Sequence, residues 1–465
     1  MTDQKTTLGF YGAASMVTGS NFLLTILGEG NPGHGVKIMI DCGLFQGGSV
    51  FDEKNHAAFP YDPASVDVLI VTHAHLDHVG RIPKLIREGF HGTIYSTPPT
   101  RDMARLILTD SMGVLRREAE AKGTKPLYNE ADVEKAMSHW QAKPYRQSFE
   151  LPGGVSATLH DAGHILGSSM VELTRGGKTI VFSGDLGNSP APLLHNTEAL
   201  TQPDYLVMES LYGDHEHEDR DTRKHILEDV IESTVLRGGA LIIPAFSIER
   251  TQEVLFEIND LVEHKKIPEV PVFLDSPLAI KVTEIYKAEE NDQYFNKTAM
   301  AAIASGDDIF KFPRLHFTLS RQESDAIAET PDPKIIMAGS GMSNGGRVVK
   351  HLKRHLADPK STMLIVGYQA AGTMGRMIQD GAKEVTIEGE VIPVRAQITT
   401  IHGYSAHKDG AELLTFIEPA IDSLKKVFLV HGEPKGLLFF AQRARDYLGL
   451  DAAVPQEGEV FTIDF

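Results

Sequence analysis

One stretch limits what this chain can fold into more than any other: THAHLDHVGRIP, residues 72–83, which takes over where the apolar run VDVLIVT (66–72) ends. A run of that length rich in Val, Ile and Leu reads as a buried strand. Side chains two apart on an extended strand end point the same way, so His73 and His75 share a side. Asp77 and His78 follow where the chain turns into a helix, and can face a second centre a few ångströms away. Imidazole and carboxylate donors without a thiolate suit Zn²⁺, or a similar first-row ion, in a hydrolytic role.

Other strand ends supply matching groups. DAGHILGSS (161–169) sets His164 in a glycine-rich turn, IVFSGDLGN (180–188) ends an apolar strand on Asp185, and KVFLVHGEP (426–434) does the same with His431. A carboxylate at a buried strand end needs a partner, and a position between two cations supplies one. The five histidines and two aspartates suffice for two metals with open positions for water and substrate. Asp41, in IMIDCGLFQGG (38–48), suits the orienting of a ligand rather than ligation, since metal-bound histidines usually donate their other N–H to a carboxylate.

The rest of the chain alternates short strands with helical stretches, an α/β pattern. At 465 residues it predicts two or three domains. Ligand-like residues occur both before and after a middle segment with its own strand–helix alternation. That segment therefore reads as an insertion, with boundaries at 1–208, 209–395 and 396–465. The first twenty residues lack a basic start followed by an apolar core, no run approaches a membrane span, and Cys42 is the single cysteine. These features predict a cytoplasmic protein with no membrane partner. The net charge of −18 argues against non-specific coating of nucleic acid.

With these motifs the chain resembles the metallo-β-lactamase-fold hydrolases of the β-CASP branch, which process RNA. Glu209 in MESLYG, His407 in GYSAHKD and His431 in LVHGEP match that branch's motifs A, B and C, and VTGSNFLL (17–24), PAFSIERTQEVL (244–255), AGSGMSNGGRVVKHL (338–352) and YQAAGTMGR (368–376) are also similar. The resemblance implies an αββα metallo-β-lactamase sandwich with an inserted α/β β-CASP domain, and a cleft that admits single-stranded RNA. It implies one Zn²⁺ held by His73, His75, His164 and Asp185, and a second held by Asp77, His78, Asp185 and His431; the donor chemistry itself prefers Zn²⁺ and leaves Mn²⁺ as an alternative. Phosphodiester hydrolysis by a hydroxide generated between two cations follows from such a centre, with endonuclease and exonuclease modes both found in the family. Asp77 and Asp41 serve the centre, while His407, oriented by Glu209, protonates the leaving oxygen. A homodimer is also known in the family, although no residue of this sequence points to one.

The glycine-rich turn 338–346 precedes a predicted helix at Arg347, and Ser340, Ser343, Asn344, Arg347 and Arg376 are candidates for the RNA backbone. Two rival functions share the fold: a small-molecule ester, thioester or lactam hydrolase, and a non-catalytic RNA-binding subunit. His215 and His217 read as part of a solvated acidic connection (213–225), His351 and His355 as part of a basic helical face, Cys42 as a small buried residue, and Trp140 as a helical residue without a role.

Overall fold

The computed structural model of the chain describes residues 6–27, 35–47, 49–217, 222–370 and 372–465. The first strands are β1 (Thr6–Phe10), β2 (Phe22–Ile26), β3 (Val36–Ile40), β4 (Val68–Ile70), β5 (Thr93–Ser96) and β6 (Trp140–Ala142). A second run follows: β7 (Phe149–Leu151), β8 (Val155–Asp161), β9 (Ser169–Arg175), β10 (Lys178–Phe182) and β11 (Tyr205–Glu209). The chain then builds β12 (Ala240–Pro244), β13 (Val272–Asp275), β14 (Leu315–Phe317), β15 (Lys334–Ala338) and β16 (Thr362–Ile365), followed by β17 (Glu384–Ile387), β18 (Glu390–Pro393) and β19 (Gln397–Thr400). It closes with β20 (Lys426–Val430), β21 (Ala452–Ala453) and β22 (Val460–Ile463).

Two compact units result. The first comprises Met1–Ser189, Asn196–Glu216 and His407–Phe465, and the second Pro190–His195 and His217–Ala406. The first unit holds two seven-stranded sheets, in the orders β22-β1-β2-β3-β4-β5-β6 and β21-β20-β11-β10-β9-β8-β7. The late strands complete both sheets: β22 pairs antiparallel with β1, and β20 runs parallel to β11 with Val207 opposite Phe428.

Alternation along these strands decides where the core lies. Leu8, Phe10, Phe22, Leu24, Ile38, Ile40 and Ile70 of one sheet meet Leu159, Val171, Leu173, Phe182, Val207 and Phe428 of the other. The opposite face of the second sheet, through Met170, Val181, Leu206, Met208 and Leu429, packs on helices Gly410–Ile417 and Pro434–Leu448 through Leu413, Phe416, Leu437 and Phe440. Burying each such side chain contributes about 1.5–3 kcal/mol. Helices on the outside and two sheets within make the expected αββα sandwich.

The second unit has a six-stranded parallel sheet, in the order β14-β13-β15-β12-β16-β19, and the antiparallel hairpin β17–β18. Its four central strands, β13, β15, β12 and β16, are buried along their whole length, as parallel strands covered on both faces are. Trp140 is the first residue of edge strand β6 and not helical: its indole N–H donates to Ser96 Oγ at 2.8 Å.

Candidate metal centre

The candidate ligands all lie in the first unit, on loops that leave strand ends. After β4, residues 71–75 form a short link that ends on His75, whose backbone is extended, at the N-terminus of the one-turn helix Leu76–Val79 that carries Asp77 and His78. A facing loop holds this turn: Ser20 N–H donates to Asp77 O (2.8 Å), Cys42 N–H to His78 O (2.9 Å) and Leu44 N–H to Leu76 O (2.9 Å). Gly43 makes that approach feasible, because a Cβ there would fall 1.5 Å from Asp77 O. The loops bearing His164 and Asp185 cross in the same way, with a Cβ on Gly187 falling 1.7 Å from Gly163 O. Two site residues sit at positive φ, Asp41 at 58° and His431 at 51°. Non-glycine residues occupy that region at a cost, and such strain clusters at functional sites.

His73, His75, His164 and Asp185 form one group of donors, with their atoms within 4.8 Å of one another. His75 Nδ1 is 3.1 Å from both His73 Nε2 and His164 Nε2, and Asp185 Oδ2 is 3.3 Å and 3.5 Å from those two nitrogens. Asp77, His78 and His431 form a second group. The other oxygen of Asp185, Oδ1, lies 3.4 Å from His78 Nε2 and 3.8 Å from His431 Nε2. Asp185 thus turns one oxygen to each group.

These residues fit a metal on their own chemistry. Burial holds His73 and His431 down to about 3 and depresses His75 and His164 as well, which keeps these four rings in the neutral form that coordinates, whereas the carboxylates of Asp185 and Asp41 outweigh burial at His78 and hold it above its ordinary value. His78 Nε2 and Asp185 Oδ1 are buried without a hydrogen-bond partner. The nitrogens of His73, His75 and His164 that converge at 3.1 Å are the atoms that would hold a cation.

Around the two groups lie residues that touch them without completing them. Asp41 accepts from His78 Nδ1 at 2.7 Å, and its own carbonyl is held by Asn21 Nδ2 at 2.9 Å. Glu209, fully buried at the end of β11, accepts from Leu186 N–H at 2.6 Å and from His407 Nδ1 at 3.0 Å. Burial works against a charge on His407, yet Glu209 outweighs it and holds the imidazole above its ordinary value. The His407 ring lies over the centre, 4.6 Å from that of His164 and 6.0 Å from that of His431. Sequence reasoning missed Thr72 and Asn21. A polar β-branched residue closing the apolar run VDVLIV was the available sign for Thr72.

The candidate phosphate contacts lie in the second unit. Ser340 and Asn344 are exposed and Ser343 is buried, its Oγ without a hydrogen-bond partner. Asn344 Oδ1 accepts from Met374 N–H at 2.8 Å. Arg347 donates to Asp275 Oδ1 (2.7 Å) and to the carbonyls of Thr318 and Leu319, and Arg376 pairs with Asp380 at 2.9 Å. His351 and His355 are buried, unlike the basic surface expected of them: His351 Nε2 lies 2.8 Å from Asp275 Oδ2. His215 is exposed, Cys42 is buried, and residues 218–221 of the acidic connection lie outside the described residues.

A metallo-β-lactamase superfamily domain matches residues 33–211, a Beta-Casp domain 251–378, and a Zn-dependent metallo-hydrolase RNA specificity domain 391–455. A curated ribonuclease of Thermus thermophilus is 37% identical over 429 residues, which cover 92% of this chain and 93% of that protein. The chain belongs to the β-CASP family of metallo-β-lactamase-fold ribonucleases. It is accordingly a metal-dependent hydrolase. The transcription termination factors FttA of Methanosarcina mazei and Pyrococcus horikoshii are 32% and 34% identical over 87% and 84% of this chain, which spans 64% and 60% of those longer proteins. A solved structure of a protein of unknown function from Enterococcus faecalis V583 shares the fold, at a TM-score of 0.56 and 12% identity, over 99% of this chain and 100% of that one. Among the described residues no helix is long and apolar enough to cross a membrane.

Proposed function

We propose that this β-CASP hydrolase cleaves phosphodiester bonds of single-stranded RNA at a centre of two divalent cations, with Zn²⁺ favoured and Mn²⁺ as the alternative. The observation that carries the reading is Asp185, whose two oxygens face two separate groups of imidazole and carboxylate donors. His73, His75 and His164 would hold one cation, Asp77, His78 and His431 the other, and Asp185 both. Cations bound there supply Lewis acidity toward the phosphoryl group and a hydroxide nucleophile at neutral pH.

The remaining work falls to the protein's own groups. His407 spends its Nδ1–H on Glu209, which leaves Nε2 as the atom that carries a proton to the leaving oxygen. Glu209 is a positioning residue in this reading: its buried carboxylate favours the imidazolium form and fixes the ring. Asp41 orients His78. Ser340, Ser343, Asn344, Arg347 and Arg376 are proposed for the RNA backbone; the buried Ser343 would have to be uncovered, and Arg347 and Arg376 would have to exchange their carboxylate partners for phosphate.

The test is gel-resolved cleavage of a 5′-labelled single-stranded RNA by wild type and Asp77→Ala. Internal fragments made by wild type alone support an endonuclease, and a receding ladder or mononucleotides support an exonuclease. Intact RNA with metal-loaded wild type, alongside turnover of an ester, thioester or lactam, would replace the reading with small-molecule hydrolysis on the same fold.

A further inference from the structure

Thr72 is buried, and its hydroxyl lies between the two ligand groups. Oγ1 is 2.8 Å from Asp41 Oδ2, 3.1 Å from His73 Nδ1 and 3.4 Å from His78 Nδ1. A hydroxyl has one proton to give and lone pairs to accept with, whereas an ionised carboxylate only accepts. The Thr72 proton therefore goes to Asp41, and its lone pair takes the Nδ1–H of His73. The same Asp41 oxygen takes the Nδ1–H of His78 at 2.7 Å. In the neutral tautomer that each of these hydrogen bonds selects, Nε2 carries the lone pair, and it is the atom each ring turns toward Asp185: His73 Nε2 is 3.3 Å from Oδ2 and His78 Nε2 is 3.4 Å from Oδ1.

The geometry points to Thr72 as a positioning residue shared by both groups: with Asp41, its single hydroxyl fixes the tautomer and tilt of one ligand in each. Whatever displaces this hydroxyl disturbs both groups at once, although Thr72 itself is not among the candidate ligands.

The surroundings keep the hydroxyl in place. Thr72 N–H donates to Asp41 Oδ1 at 2.8 Å, so backbone and side chain grip the two oxygens of one carboxylate. Its carbonyl accepts from Ser169 N–H (2.8 Å) and Ser169 Oγ (3.1 Å). A β-branched side chain has few χ1 choices. Gly184, one residue before Asp185, leaves room for it: a Cβ there would lie 2.8 Å from Thr72 Cβ and 3.0 Å from Oγ1.

This inference rests on the reading of a two-cation centre, and the experiment separates the two. Metal-free wild type, Thr72→Val, Thr72→Ala and Thr72→Ser are titrated with Co²⁺ against a competing chelator, with the visible absorption recorded at each step and far-UV circular dichroism reporting the fold. Wild type should take two equivalents. Thr72→Val, equal in shape but without the hydroxyl, should bind both more weakly, by about ten- to a hundredfold, with an altered spectrum. Thr72→Ser should restore both affinities to within about threefold of wild type. Thr72→Ala should reproduce the loss and stands in if Thr72→Val fails to fold. Wild-type affinity in the variants lacking the hydroxyl, or weakening of one equivalent only, would overturn the inference. A wild type that does not take two equivalents would overturn the two-cation reading itself, whatever the variants do.

Discussion

His407 Nδ1 lies 3.0 Å and 3.2 Å from the two oxygens of the fully buried Glu209 carboxylate. A buried carboxylate is costly unless it is paired, and here the partner is a ring lying over the ligand cluster. His407→Ala should lower kcat by about 10²–10⁴-fold, the usual worth of a general acid, with bound metal unchanged. Single-turnover cleavage with metal quantified on the same sample checks both halves. Full rate would remove the acid role, and a loss of metal would make His407 a ligand.

Gly43 faces the Asp77 carbonyl so closely that a Cβ would fall 1.5 Å from it and 2.8 Å from His78 N. Gly43→Ala must push the turn bearing Asp77 and His78 outward. We expect a stability loss of about 1–3 kcal/mol, as for overpacking elsewhere, and weakened metal binding. Chemical denaturation and metal titration of the variant test this, and wild-type values in both would contradict it.

Asp275 is fully buried and accepts from Thr318, Ser324, Arg347 and His351. Asp275→Ala leaves a guanidinium without its carboxylate and should destabilise the second unit by about 3–5 kcal/mol. Urea unfolding of the variant measures it. A change below about 1 kcal/mol, the worth of an exposed pair, would show that the cluster is not a unit.

His160 Nε2 is 3.6 Å from Glu172 and Nδ1 is 3.3 Å from Glu198. The two carboxylates beside it, Glu172 and Glu198, outweigh the opposing effect of burial and raise its imidazole to about 9. An unfolded histidine titrates near about 6.5, so the folded value is the higher one and the stabilisation is complete below that pH. It is lost as pH rises through about 9. His160→Gln should therefore cost about 1–2 kcal/mol more at about pH 6 than at about pH 10, after allowance for solvent screening. Equal losses at the two pH values would contradict this.

How much of this was legible depended on how far apart in sequence the partners stand. His73, His75, Asp77 and His78 stand out because they are local, His164 because of its glycine-rich turn, and Asp185 and His431 because each follows an apolar strand. Thr72 does not, since its meaning lies in Asp41, 31 residues earlier in the chain. Lys353 and Arg354, its neighbours in sequence, make His351 read as surface, whereas its partner Asp275 is 76 residues away. Charge patterning sees a helix's own residues and not the strand end it covers. The sequence reads Trp140 as helical, but the helix Glu130–Ser138 stops two residues earlier and the indole bonds to Ser96 on the adjoining strand.

The most direct measurement is rate against metal content. Protein stripped by a chelator is given back Zn²⁺ or Mn²⁺ in sub-stoichiometric steps, and cleavage of a labelled single-stranded RNA is followed at each step, with Asp77→Ala in parallel. The account predicts no cleavage by the stripped protein, a rate that reaches its plateau at two equivalents per chain, and an Asp77→Ala variant that stays inactive throughout. Full cleavage by metal-free protein, or by Asp77→Ala, would contradict it.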